Sequence, residues 1–147
     1  VRLPGALDIA TDLRIIEATD DASLKDFDET MINGYPLDEL RFPADRMSDS
    51  RALGGPMHFF VGYEGTKPVS CAASFVGERE VGVYMVATLA EKRGGGYGAA
   101  LTAAAVNAAP HLPAVLQASD FGQPVYYRLG FATLGTFALW YKPRAAK

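Results

Sequence analysis

Apolar residues recur along this chain with two periods, and the change between them divides it. The run Leu13 to Ala18 (LRIIEA) is short and β-branched, and Thr19-Asp20-Asp21 follows, which predicts a strand running into a helix N-cap. From Ala22 to Ile32 the apolar Leu24, Phe27 and Met31 fall at helical spacing, and Asn33-Gly34-Tyr35-Pro36 ends that helix. Residues 37–55 are polar with scattered Leu40, Phe42, Met47 and Leu53, a pattern for a short helix and a mobile loop.

From Met57 the period shortens. Met57 to Tyr63, Pro68 to Val76 and Val81 to Leu89 are β-rich runs separated by the short turns Glu64-Gly65-Thr66-Lys67 and Gly77-Glu78-Arg79-Glu80, so they predict antiparallel hairpins. A glycine cluster, Gly94-Gly95-Gly96-Tyr97-Gly98, then opens an alanine-rich helix that reaches about Ala109 and stops at Pro110. Ala114 to Ala118 reads as a further strand, and Gly122 to Leu129 as a helix whose first turn tolerates Pro124. Thr133 to Tyr141 reads as a final strand or bent strand pair. With no internal repeat and no linker, the order β-α-α-β-β-β-α-β-α-β belongs to one α+β domain spanning residues 1–147.

Composition narrows the function classes. A chain of 147 residues, 49% hydrophobic and 21% charged, has the size of one folded domain. Neither a spanning helix nor a signal peptide is read from the sequence, which makes the cytoplasm the default location, and the start at Val1 leaves room for an upstream segment. Cys71, His58 and His111 are too few for a structural zinc site, so no metal is expected. A net charge of −3 argues against bulk nucleic-acid binding. The distribution is uneven: residues 1–50 carry 12 acidic and 5 basic side chains, net −7, and residues 51–147 carry 5 acidic and 9 basic, net +4.

A glycine run between a strand and a helix presents bare backbone N–H groups at the positive end of the helix dipole, where they can close on phosphate oxygens. Residues 93–99 are therefore a candidate anion site, with Lys92 and Arg93 as added charge. No Lys-Ser or Lys-Thr follows the glycines, which disfavours a P-loop. Gly94-x-Gly96-x-x-Ala99 with Asp120 downstream satisfies a loose dinucleotide fingerprint, but the antiparallel setting and the short remainder do not make a Rossmann unit.

The third match is Arg93-x-x-Gly96-x-Gly98 at a strand-to-helix junction, and it resembles the acetyl-CoA pyrophosphate loop of the GNAT (N-acetyltransferase) superfamily. The resemblance extends to Val125-Tyr126-Tyr127-Arg128-Leu129-Gly130-Phe131, similar to that family's aromatic-containing helix closing on Leu-Gly-Phe, and to Ser119, seven residues before Tyr126. Together these cover residues 57–141. Ala90 stands where members often have Pro, Gly95 where a basic residue is frequent, and Gly122 where Ala is frequent; little consequence is expected from the last.

The resemblance implies a central mixed, mostly antiparallel sheet flanked by helices, with the strand ending near Leu89 splaying from Ala114–Ala118. It implies that backbone groups of Val86, Ala87 and Thr88 pair with pantetheine, that Ser119 lies beside the pantetheine arm, and that Arg93, Gly94, Gly95, Gly96, Tyr97, Gly98 and Ala99 form the pyrophosphate site. Tyr126 matches the usual proton donor to the leaving thiolate, and an N–H at Val86 or Ala87 would polarise the thioester carbonyl. The implied reaction is acetyl transfer from acetyl-CoA, as co-substrate, to a primary amine by direct attack. No carboxylate stands out as base: Glu78, Glu80 and Glu91 read as solvent-facing, and His58 and Tyr84 as relay groups or packed residues. Tyr35, Asp38 and Glu39 near the helix break could line an acceptor pocket, and Cys71 reads as core.

A domain that binds acyl-CoA without catalysis, as a sensor or module, is the alternative. The acceptor, a small-molecule or peptide amine, is not written in the sequence. Neither is the oligomeric state; a homodimer would form through the terminal strands.

Overall fold

The computed structural model describes residues 1–35, 47–138 and 140. Its elements in chain order are β1 (Arg14–Glu17), α1 (Asp21–Gly34), β2 (Met57–Glu64), β3 (Lys67–Val76), β4 (Val81–Thr88), α2 (Tyr97–Val106), β5 (Ala114–Leu116) and α3 (Gln123–Arg128). The five strands form one sheet in the order β1-β2-β3-β4-β5, antiparallel except for the β4–β5 pair.

Each face of the sheet has its own core. Leu24, Phe27 and Met31 of α1 are buried against Phe59, Val61, Cys71, Ala73 and Ala87 on one face. Leu101, Ala105 and Val106 of α2 are buried against Phe60, Ala72 and Val83 on the other. The period-2 alternation of β2 makes this possible, sending Phe59 and Val61 one way and Phe60 the other. Helix α1 starts on a capping box: Asp20 accepts from the Ser23 backbone N–H at 2.8 Å, and the Ser23 hydroxyl lies at 3.4 Å from the Asp20 N–H. Fully buried Asp28 on α1 accepts from Met47 N–H and Ser48 N–H, both at 3.0 Å, and from the Ser48 hydroxyl at 2.7 Å, which pins the segment preceding β2 to the helix.

Several expectations need correction. Residues 133–138 form no strand, although Thr133 to Tyr141 has a β-like composition. A strand needs a partner edge; β5 has only 3 residues, and Arg2 bridges to its Ala114, while Ala132 exchanges backbone bonds with Val1. β5 ends at Leu116 rather than Ala118, and α2 ends at Val106 rather than Ala109, where Asn107 turns to bond both backbone groups of Leu7. In the polar stretch only a 3₁₀ turn, Ser50–Ala52, is seen, and residues 36–46, with Asp38 and Glu39, lie outside the described residues.

Candidate active site

The opening between β4 and β5 is where the sheet is interrupted. The two strands pair only over Val81↔Ala114, Gly82↔Val115 and Val83↔Leu116, whereas β4 runs on to Thr88. From Tyr84 onward the β5-facing edge of β4 has no strand partner among the described residues. Val86, Ala87 and Thr88, the residues expected to pair with pantetheine, lie on this stretch of β4.

A feature that no sequence signal announced lies within that stretch. Between Cys71↔Ala87 and Ala73↔Tyr84 the register shifts, so Met85 and Val86 together oppose Ala72. Met85 sits at φ 53°, a left-handed conformation rare for a side chain of this kind. Two β3 residues support the bulge: the Ser70 hydroxyl donates to Ala87 O at 2.9 Å, and the Cys71 thiol to Met85 O at 3.6 Å. Cys71 is fully buried, and burial pushes its thiol far above the ordinary range, so it is a packing and hydrogen-bonding group with no thiolate to offer. Adjacent Ser70 and Cys71 in the buried middle of β3 were the available hint of this support.

Beyond Thr88 a 3₁₀ turn, Ala90–Lys92, leads into the glycine loop. Gly94 and Gly96 have φ of 84° and 82°, and Gly96 is the N-cap of α2 with no side chain capping it. A Cβ at either would meet nothing within 4 Å, so the loop is open toward solvent. Bare N–H groups at an uncapped N-terminus are the chemistry an anion needs. Gly98 sits beneath, its missing Cβ 3.7 Å from Thr88 Oγ1, and its carbonyl accepts from Thr102.

Lys92 and Arg93, the cations expected to assist there, have other partners, as does the nearby Lys67. Lys92 is ion-paired with Glu64, whose second carboxylate oxygen accepts from Tyr97 Oη at 3.3 Å. Lys67 meets Glu91 at 3.3 Å. Arg93 donates through Nε to Thr88 O at 3.3 Å and through Nη2 to Gly34 O at 3.0 Å. The Thr88 carbonyl thus already accepts one hydrogen bond, from Arg93.

On the far side of the opening, Ser119 is exposed and its hydroxyl accepts from Gly122 N–H at 3.2 Å, starting the turn into α3. The Tyr126 ring lies over Gly122: a Cβ there would fall 2.9 Å from Tyr126 Cε2 and 3.6 Å from Ser119 Oγ. A methyl on Gly122 would therefore require the Tyr126 ring to shift. Tyr126 packs edge-on to Phe131 at 6.0 Å, and burial, with the nearby Tyr35, raises its phenol above the usual value. Tyr35 at the end of α1 and Tyr126 are thus brought together from 91 residues apart. Tyr127 is half-exposed and bonds Thr133.

His58 is elsewhere. Its Nδ1 is 2.7 Å from Glu17 Oε1, and the pair lines a groove with Ile15, Phe60, Ala104 and Asn107 on the α2 face, two strands away from β4. Tyr84, half-exposed just before the bulge, remains close to the opening. Among the described residues no cluster of three or more metal-ligating side chains occurs, and no helix is long and apolar enough to cross a membrane.

Known proteins share this architecture. Escherichia coli ElaA superposes with a TM-score of 0.70 at 16% identity, covering 89% of this chain and 95% of that one. An aminoglycoside acetyltransferase from an uncultured soil metagenomic sample, in complex with sisomicin, gives 0.67 at 16% identity over 90% and 97%. A predicted acetyltransferase with acetyl-CoA from Clostridium acetobutylicum gives 0.62 at 17% over 88% and 96%. At such identities the likeness concerns the fold. No curated protein matches in sequence. The family model described as an acetyltransferase (GNAT) domain matches residues 38–137. With a five-stranded mixed sheet opened between β4 and β5, an uncapped glycine loop at the opening and that match over two thirds of its length, this chain belongs to the GNAT acetyltransferase family.

Proposed function

We propose that this domain transfers an acetyl group from acetyl-CoA to a primary amine by direct attack. The observation that carries the reading is the edge of β4 that is unpaired among the described residues, followed after a 3₁₀ turn and the glycine loop by an uncapped helix N-terminus. One end of that track offers strand-like backbone pairing from Val86 and Ala87, and the other an anion cradle from the N–H groups of residues 94–98, the Ala99 N–H already donating to Gly96 O at 3.0 Å. Lys92 and Arg93 have internal partners, so the backbone does most of the phosphate binding in this reading.

In the reaction the amine nitrogen bonds to the acetyl carbon, the carbon–sulfur bond breaks, and the thiolate leaves with the electron pair. An N–H of Val86 or Ala87 beside the bulge polarises the carbonyl. Tyr126 gives its phenolic proton to the departing sulfur; its raised affinity for that proton keeps it loaded at neutral pH. An aliphatic amine is only about one part in a thousand neutral near pH 7.4, so water reached through the opening removes its proton. Ser119 borders the pantetheine path.

The acceptor class we favour is cationic, because residues 1–50 carry net −7. The reading places the domain in the cytoplasm and includes a homodimer through the terminal segments, where Leu134 and Phe137 are each 81% exposed. The test is single-turnover release of free CoA from acetyl-CoA with a panel of amines. Release that depends on the amine supports transfer; tight acetyl-CoA binding with no release by any amine makes the domain an acyl-CoA sensor; no binding refutes the reading.

A further inference from the structure

The Arg93 side chain aims away from the glycine loop. Its Nη2 donates to Gly34 O, the last residue of α1, at 3.0 Å, its Nε to Thr88 O at 3.3 Å, and its guanidinium carbon lies 5.8 Å from the Phe121 ring centre. The last turn of α1 carries no basic residue of its own, so this guanidinium supplies the cation that a helix C-terminus attracts. The approach of the helix end is close: a Cβ on Gly34 would fall 3.0 Å from Thr88 C and 3.2 Å from Leu89 N. One side chain thus fastens the end of β4 to the end of α1, from the residue that opens the glycine loop.

We propose that Arg93 is a positioning residue, a strut that transmits occupancy of the glycine loop to the end of α1 and to Tyr35, and is not a phosphate ligand. The transmission half of this inference rests on the acetyl-CoA reading above. A planar fork with fixed N–H directions suits two carbonyls at once, which an ammonium cannot match. Pulling the fork toward a phosphate would strip both carbonyls of a charged donor. When N–H groups of residues 94–98 close on an anion, the Arg93 backbone is fixed with them, and the fork then holds Gly34 and the following Tyr35. The strut therefore ends at the residue that follows α1, Tyr35, which lies near Tyr126.

Amide hydrogen exchange of Gly34 and Tyr35, with CoA as probe, tests both halves in Arg93→Met and Arg93→Lys. In ligand-free protein, Arg93→Met should speed exchange at Tyr35, whose N–H donates to Met31 O, by at least tenfold, with Arg93→Lys in between. Unchanged exchange overturns the strut whether or not CoA binds. In wild type, CoA should slow Tyr35 exchange; in Arg93→Met, CoA should still bind within about threefold of wild type by calorimetry while that slowing disappears. A thirtyfold loss of CoA affinity with a shallower salt dependence would make Arg93 a phosphate ligand and overturn the proposal. Wild-type protein that binds no CoA would instead refute the acetyl-CoA reading, leaving the ligand-free arm to decide the strut.

Discussion

Replacing Gly34 with Ala inverts an ordinary rule. In a helix interior or last turn, Ala is favoured over Gly by about 0.8–1.0 kcal/mol through backbone entropy alone. Here the added methyl would lie 3.0 Å from Thr88 C and 3.2 Å from both Thr88 N and Leu89 N. Optimal carbon contacts are about 3.5–4.0 Å, so the methyl is too close to Thr88 C by roughly half an ångström and crowds the two nitrogens by a few tenths. Backbone in a paired strand cannot swing aside as a side-chain tip would, and overpacking of this kind costs about 1–3 kcal/mol. Set against the propensity gain, Gly34→Ala should be destabilising by about 0–2 kcal/mol, a fall in Tm of up to roughly 8 °C for a chain of this size. It should also lengthen the Arg93 bond to Gly34 O. Urea unfolding of Gly34→Ala beside wild type measures the first effect, and Asn33→Ala, exposed in the same turn, serves as a propensity control. A Gly34→Ala protein that is stabilised by the full propensity gain, about 0.8–1.0 kcal/mol, would show that α1 ends away from β4, and the geometry argued for Arg93 would fall with it.

Gly98→Val should fold, since its Cβ position is an ordinary 3.7 Å from Thr88 Oγ1, yet lose at least tenfold in acetyl-CoA affinity by calorimetry; unchanged affinity would put the anion site elsewhere. Tyr126→Phe should lower kcat by about 10²–10⁴ with little change in acetyl-CoA Kd. Tyr127→Phe should do neither, and equal small effects from the two would leave Tyr126 a packing residue. Burial raises the phenols of Tyr63 and Tyr126, and Tyr63 also donates to Asp26. The folded state therefore holds these protons more tightly than the unfolded chain, so stability should be full below about pH 10 and fall as pH rises past it, in a urea series that Tyr63→Phe flattens. Asp28→Ala should cost about 2–3 kcal/mol, because it strips acceptors from the Met47 and Ser48 donors; a loss below about half a kilocalorie would mean water replaces them.

Local chemistry made most elements readable in advance. Asp20 as N-cap, Leu24, Phe27 and Met31 as a buried stripe, and the β-rich runs with short turns all depend on neighbours in sequence, and they stand where the pattern put them. So does the glycine loop, because an uncapped helix start with positive φ at Gly94 and Gly96 is a property of a few consecutive residues. Other features depended on distant partners. Nothing near Met85 in sequence signals its bulge, which exists because β3 offers one residue, Ala72, where β4 presents two. The side chain of Arg93 looks like a phosphate ligand until α1 folds back and places Gly34 O within its reach, 59 residues away. Gly122 looks unencumbered until Tyr126 turns over it. Thr133 to Phe137 has strand composition, but Ala132 just before it bonds Val1 and among the described residues the segment pairs with no strand, and a strand, unlike a helix, cannot satisfy its backbone alone. The sequence by itself determined the elements and the loop because capping, periodicity and turn chemistry are local. Which edge stays open, which cation is spoken for and which tyrosines meet were decided only when the sheet brought remote segments together.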